Sequence, residues 1–336
     1  MNIMKILKPI LHSLITLATI ALILLALIAQ IVRDISIFWA LLLYMPLLPL
    51  GLWAIVWSLT WRSKSRLLFY SLMLIGFVAM GVQSQQFLRF FPQQMLPQQA
   101  NSIRLLHWNV LWGGKLPLSS KPYQGSWDSL TQAILQQQAD IIVLSEPPQD
   151  KRLFALADQL DDDWQMVHFQ AADKCTERCV LFTVLSPYPM YIERYTNPRH
   201  GNAFIVRLNM PQGIFRLLVV DGISQYTQLR TPFLHDIQQT VIEQYEKQQP
   251  IDVIVGDFNA VQRSQGFDDY PIMGDGYWLA ADKTLGWRGT WKSYAPLLDI
   301  DHIWVNRRYQ AVYTKFLFNW ASDHYGQLVT FYSSSN

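Results

Sequence analysis

Three stretches near the N-terminus constrain this chain more than anything else in it. Pro9 to Val32, Ser36 to Trp61 and Leu67 to Leu88 contain no aspartate, glutamate, lysine or arginine. Each is long enough to cross a hydrocarbon core of ~30 Å as a helix, which takes about 20 residues. Lipid admits only a backbone whose hydrogen bonds are closed internally, so three transmembrane helices are expected within residues 1–90. A cleaved signal peptide suits the first stretch poorly, because its apolar core exceeds the usual ~7–15 residues and two more spans follow.

Basic residues set the orientation. Lys5 and Lys8 precede the first stretch and Arg62, Lys64 and Arg66 fill the second short loop, whereas the first loop has Arg33 offset by Asp34. The positive-inside rule then places the N-terminus and the second loop in the cytoplasm. Three crossings carry the rest of the chain to the far side, which predicts a multi-pass inner (cytoplasmic) membrane protein with a periplasmic C-terminal domain. Trp53, Trp57 and Trp61 recur every four residues; they read either as an anchor at the headgroup level or as a face packed on a neighbouring helix. A proton or ion pathway lacks its usual parts, since no carboxylate, lysine or arginine lies inside a span.

Residues 1–100 hold seven basic side chains and one acid. Of the whole chain's 27 basic and 25 acidic groups this leaves 20 and 24, a net of −4, for residues 101–336. Such asymmetry points to two regions in different environments. The Gln- and Pro-rich residues 91–100 read as a linker between a membrane anchor (1–90) and a domain spanning 101–336. Cys175 and Cys179 are expected as a disulfide or as two free thiols; two thiols without a second pair do not make the usual zinc pattern.

Within 101–336, short apolar runs outnumber helical patterns. The convincing helices are Ser126 to Gln138, Asp150 to Leu160 and Arg230 to Lys247, and no glycine-rich phosphate loop opens any of them. Many short strands with few helices predict an α+β fold of two packed β-sheets flanked by helices. Ile251 to Val255 ends in Gly256-Asp257-Phe258-Asn259, a buried strand delivering polar side chains to a sheet edge. Asn109, Glu146, Asp301 with His302, and Asp323 with His324 likewise stand at the ends of apolar runs.

The runs Leu106-His107-Trp108-Asn109-Val110, Asp140-Ile141-Ile142-Val143-Leu144-Ser145-Glu146, Val255-Gly256-Asp257-Phe258-Asn259-Ala260, Asp299-Ile300-Asp301-His302-Ile303 and Ser322-Asp323-His324-Tyr325 resemble, in order, the five blocks of the endonuclease/exonuclease/phosphatase superfamily. The resemblance implies a DNase I-like four-layer sandwich, a divalent cation (Mg²⁺ or Mn²⁺) and hydrolysis of a phosphoester by water. It implies a metal role for Glu146, Asn109 and Asp323, and catalytic roles for Asp257, Asn259, Asp301 and His324. Asp257 would act on the water, and Asp301 would orient an imidazolium at His324. Asn109 and Asn259 would also contact substrate.

Two positions depart from the family pattern. Ser145 stands where glutamine is usual, and Gly222 in Asp221-Gly222-Ile223-Ser224-Gln225-Tyr226 stands where a phosphate-contacting histidine is expected, leaving Tyr226 or Gln225 as its substitute. The second departure keeps open another reading, a membrane-tethered binding or scaffold protein with little catalytic power. The net charge of −4 disfavours a broad nucleic-acid footprint, so the expected phosphoester is a lipid, a small molecule or a nucleic acid, with the lipid bilayer as the other partner.

Overall fold

The computed structural model describes residues 3–90, 102–114, 127–148, 151–161, 163–170, 180–225, 227–268 and 276–333. The 91–100 linker, the two cysteines and Tyr226 lie outside them. The chain divides into two compact units, Met1–Leu88 and Arg89–Asn336.

The first unit is helical: α1 (Ile3–Val32), α2 (Ile37–Leu43), α3 (Leu47–Ser58) and α4 (Arg66–Phe87). α1 and α4 are each long and apolar enough to cross a membrane. The middle stretch, expected as one helix, is instead a pair bent by 70° between Ile37–Leu43 and Leu47–Trp61. Pro46 explains the break, for it lacks an N–H and disfavours helical geometry in the residue before it. Ser36 and Ser65 cap α2 and α4, accepting from Trp39 N and Leu68 N. The tryptophan series packs on α1: Trp53 Nε1 donates to Thr19 Oγ1, and Trp57 and Trp61 both donate to Thr16 Oγ1. An indole N–H packed against an apolar helix seeks such an acceptor, and Thr16 and Thr19 supply them.

The remaining strands and helices are β1 (Leu88–Phe90), β2 (Ser102–Asn109), the single turn α5 (Leu111–Gly114), α6 (Trp127–Leu135), β3 (Ile141–Ser145), α7 (Lys151–Ala157), β4 (Gln165–Gln170), β5 (Val180–Ser186), β6 (Met190–Thr196), β7 (Gly201–Met210), β8 (Gly213–Gly222), α8 (Thr231–Glu246), β9 (Val253–Asp257), β10 (Tyr277–Leu279), β11 (Leu285–Trp287), β12 (Asp301–Asn306), β13 (Tyr309–Leu317) and β14 (Gly326–Ser333). In the second unit they build two six-stranded sheets, ordered β10-β12-β9-β8-β7-β6 and β13-β14-β2-β3-β5-β4. Both are mixed: β8 runs parallel to β9 and β2 to β3, while the other pairs are antiparallel.

Alternation along each strand sorts side chains into layers. Ile103, Leu105, Ile141 and Val143 meet Val206, Leu217, Val219, Val255 and Ile303 between the sheets. The opposite face of one sheet is covered by Phe233, Leu234, Ile237 and Val241 of α8. That of the other is covered by Leu130 and Ile134 of α6 and by Leu153 and Leu156 of α7. The result is an α+β sandwich of four layers, with its main core between the sheets.

Where β8 and β9 run side by side, Gly256 adopts φ +150°, and a Cβ there would sit 1.9 Å from the carbonyl oxygen of Val220. Alanine fits neither that conformation nor that space. Gly256→Ala is therefore expected to destabilise the second unit by more than ~1 kcal/mol, read as a lower urea midpoint in near-ultraviolet circular dichroism. An unchanged midpoint would contradict this account of the β8–β9 contact.

Candidate active site

The parity that builds the inter-sheet core also builds the site. Continuing each inward-facing series toward this edge gives Ser145 on β3, Asp221 on β8, Asp257 on β9 and Asp301 on β12 one step beyond the last apolar residue, and on β2 His107 and then Asn109. Asp257 is in register with Asp221 on one side and Asp301 on the other, and Asn109 with Ser145. All are thus delivered to one edge of the sandwich. Asn109 Nδ2 donates across the gap between the sheets to Asp257 Oδ2 at 3.1 Å.

His324 enters from the loop before β14. Its Nδ1 donates to Asp301 Oδ2 at 2.8 Å, and its Nε2 lies 3.8 Å from Asp323 Oδ1. The loop is tied down by Ser322, whose Oγ accepts from His324 N and donates to the Asn109 carbonyl, and by Trp108 Nε1, which donates to the His324 carbonyl at 3.0 Å. Thr290 Oγ1 accepts from the backbone N–H of both Ile300 and Asp301, fixing the start of β12.

Glu146 follows β3 in a left-handed conformation, φ 49°, as does Asn259 after β9, φ 47°. Such angles in non-glycine residues store strain and cluster at functional sites. The turn at Asn259 is held by its own N–H donating to Asp257 Oδ1 at 2.8 Å and by its Nδ2 donating to the Gly222 carbonyl at 2.8 Å. Arg230 Nε also donates to the Asn259 carbonyl.

The structure therefore gathers Asn109, Glu146, Asp257, Asn259, Asp301, Asp323 and His324 at one edge. Motif reading missed several residues. Trp291 Nε1 donates to Asp323 Oδ2 at 3.1 Å, Gln327 Nε2 to the Asp301 carbonyl at 2.7 Å, and the His107 ring bonds Ser145 Oγ at 3.0 Å. For His107 and Gln327, strand parity was the available signal, since they pair in register on β2 and β14. Trp291 lies in a loop and carried none. At Gly222 the structure replaces a gap with a reason: a Cβ there would lie 2.1 Å from the Phe258 carbonyl oxygen, so histidine cannot occupy the position.

Charges at the edge perturb one another. Burial raises Asp257, and Asp301 and Glu146 add to the effect, bringing its carboxyl to about 7. Burial works against a charged His324, yet Asp301, then Asp257 and Asp323, outweigh it and carry the imidazole up to about 10. Asp301 itself is held below the ordinary carboxylate range, burial being overcome by the charge and hydrogen bond of His324. Burial lifts Glu146 and holds His107 down at about 4, so His107 is neutral.

The donor chemistry suits a hard divalent cation. Asp257, Asp301 and His324 each offer a ligand atom, all within 4.8 Å of one another. Among the described residues Asp301 Oδ1 and Asp323 Oδ1 are buried without a hydrogen-bond partner, a costly state that a cation would relieve. Two of the three groups that offer a ligand atom are carboxylates, the preference of Mg²⁺ and Mn²⁺.

A four-layer sandwich carrying a carboxylate–imidazole pair at its edge has the architecture of a phosphoester-hydrolase scaffold. The chain belongs to the endonuclease/exonuclease/phosphatase family, whose model matches residues 106–324. Among curated proteins no sequence matches it. Solved structures show the same fold. The human Nocturnin catalytic domain, solved with bound sulfate, superposes at TM-score 0.51 and 17% identity, covering 73% of this chain and 99% of that one. An endonuclease/exonuclease/phosphatase from Bacteroides vulgatus gives TM-score 0.52 at 15% identity, covering 69% and 99%. One from Beutenbergia cavernae gives 0.51 at 16%, covering 69% and 72%.

Both large shifts act on stability in one direction. Asp257 titrates near 3.8 when unfolded and about 7 when folded, and His324 near 6.5 and about 10. In each window the folded state binds more protons, so its stability falls as pH rises. With chelator present, thermal unfolding is expected to show a decline from pH 4 to 10, and His324→Gln should flatten the section above 6.5. A His324→Gln profile parallel to wild type would refute the ion pair as its source.

Proposed function

We propose that this protein is a membrane-anchored, divalent-metal-dependent hydrolase of phosphoester bonds that uses an activated water. The observation that carries this reading is the Asp301–His324 pair set beside Asp257, in a cluster that retains unpartnered carboxylate oxygens. Glu146, Asn109 and Asp323 are assigned to hold Mg²⁺ or Mn²⁺; His324, an imidazolium, is not a ligand. A cation bound there supplies Lewis-acid polarisation of the phosphoryl group.

The chain's own groups do the rest. Asp257, at about 7, is matched to accept the proton of a water near neutral pH. As that water's oxygen bonds to phosphorus, the bond to the leaving oxygen breaks on the opposite side, and the leaving group takes up a proton from solvent. Asp301 fixes Nδ1–H of His324, which turns the other ring N–H toward the phosphoryl oxygens, where negative charge grows. Asn259, braced on the Gly222 carbonyl, and Asn109, braced on Asp257, orient the phosphate.

Anchoring rests on the apolar helices. With the bent pair taken as one span, Lys5, Lys8, Arg62, Lys64 and Arg66 favour a cytoplasmic N-terminus and a periplasmic second unit. A reporter fused at the C-terminus should then be active outside the cytoplasm; activity inside would reverse the topology. The substrate is a lipid, small-molecule or nucleic-acid phosphoester.

Detergent-solubilised full-length protein with Mg²⁺ or Mn²⁺ is expected to hydrolyse a bis-aryl phosphate, plasmid DNA, RNA or phospholipid, and to stop when chelator is added. Asp257→Ala should lower kcat by about 10²–10⁴. A folded chain inert on all four, with or without metal, would replace this reading with that of a binding scaffold.

A further inference from the structure

Two loops frame the candidate site and leave aromatic rings in solvent. Residues 288–298 carry Trp291, Lys292 and Tyr294, and residues 318–325 carry Phe318, Trp320 and Tyr325 together with Asp323 and His324. Hydrogen bonds join the loops into one rim. Ser293 N and Oγ donate to the carbonyls of Asp323 and Ser322 at 2.7 and 2.9 Å, and Tyr325 N donates to the Thr290 carbonyl at 2.8 Å. The Phe318 ring lies 4.8 Å from that of Trp320, edge to face, and 5.5 Å from that of Tyr325. Even so, Phe318 is 43%, Trp320 50% and Tyr294 60% exposed.

A single exposed apolar side chain is ordinary, but several grouped on the rim of a site mark a surface that something covers. The occupant follows from the chemistry of the rim, from where the chain enters this unit and from charge. Lys292 Nζ lies 5.7 Å from the Trp291 ring and 5.6 Å from that of Tyr294. Tryptophan, tyrosine and phenylalanine with a lysine laid along them suit the headgroup level of a bilayer, where apolar bodies face inward and polar tips face water. Arg89 opens this unit two residues past the end of α4, so where α4 spans a bilayer Arg89 lies at its surface. Its Nε donates to Asp282 Oδ1 at 2.8 Å, and the same oxygen accepts from Arg288, the first residue of the rim, at 3.1 Å. The point of entry and the rim thus share one carboxylate. With 20 basic and 24 acidic groups, a net of −4, residues 101–336 are poorly suited to the rival occupant, a nucleic-acid strand stacked on the rings above a basic groove.

We propose that this rim seats the candidate site on a bilayer surface, and that the phosphoester it takes is the headgroup phosphodiester of a membrane phospholipid. The inference rests on the hydrolase reading for its reaction: a water oxygen bonds to phosphorus, one phosphorus–oxygen ester bond breaks, and the leaving oxygen takes a proton from solvent. A lipid phosphate lies just outside the hydrocarbon core, the depth at which indole and phenol rings settle. Docking by the rim therefore brings the phosphate to the edge that holds Asp257 and His324 while the acyl chains stay in the bilayer. Lys292 adds attraction for anionic headgroups.

The test uses full-length protein in nanodiscs of phosphatidylcholine and phosphatidylglycerol with Mg²⁺, and a bis-aryl phosphate in solution as the reference ester. Combining Tyr294→Ser, Phe318→Ser and Trp320→Ser is expected to lower the ratio of kcat/KM for phospholipid to that for the bis-aryl ester about tenfold. Trp320→Ser alone serves if the triple variant does not fold. An unchanged ratio would overturn the inference, as would turnover of the bis-aryl ester or single-stranded DNA with none of the phospholipid. Docking is read separately, without turnover. The fluorescence that Trp320→Phe removes is expected to be quenched when the nanodisc lipids carry bromine on the upper acyl chain. Should no ester be hydrolysed, the hydrolase reading fails by itself; quenching of Trp320 would still support seating on the bilayer, and a Trp320 signal indifferent to bromine would sink it.

Discussion

Carboxylates crowd the seam between two sheets here, and the ion pair of His324 with Asp301 is what makes that tolerable. Buried carboxylates repel one another and lose their water, a combination that ordinarily drives them to take up protons. Asp301 escapes that fate because an imidazolium donates to it at 2.8 Å, and the imidazolium exists at neutral pH because Asp301, Asp257 and Asp323 surround it. Each charge is the condition for the other. Asp257 and Glu146 respond by shifting upward, Asp257 to about 7, so a strong hydrogen-bond acceptor and a proton acceptor of intermediate strength stand side by side.

The scaffold keeps that balance without dedicated loops for every residue. Strand alternation fills the interior with valine, leucine and isoleucine, and the same alternation continued by one step places polar groups at the rim. The geometry of the candidate site is thereby inherited from core packing: Asp221, Asp257 and Asp301 keep the spacing of adjacent strands. The Asn109–Asp257 hydrogen bond then couples the two sheets at the place where their apolar contacts end. Removing a core side chain and misplacing a rim carboxylate are for this reason parts of one mechanical problem.

Much of this was legible in the sequence because strand ends announce themselves. An apolar run that stops at Gly256-Asp257-Phe258-Asn259 or at Ser145-Glu146 tells where polar groups meet a sheet edge, and five such runs in a family order identify the sandwich. The legible part is local. Trp291 bonding Asp323 depends on a loop returning from 32 residues away, and no periodicity records that. The reading of Ser36 to Trp61 as one helix underweighted Pro46, whose effect on the preceding residue is a backbone matter independent of hydropathy. At Gly222 the sequence registered a missing histidine, but only the distance to Phe258 shows that the backbone itself occupies the space.

That contact has a consequence for how the chain can change. With the Phe258 carbonyl where the first carbon of a side chain would go, no single substitution at position 222 brings a histidine back. The Phe258 backbone would have to retreat as well, and it is held by a hydrogen bond from its N–H to the Ile300 carbonyl and by the bond of Asn259 to Gly222 itself. The intermediates on such a route lose packing before they gain an imidazole. A histidine at this position therefore asks for a coordinated change of backbone at 258 and 259 and not for one substitution.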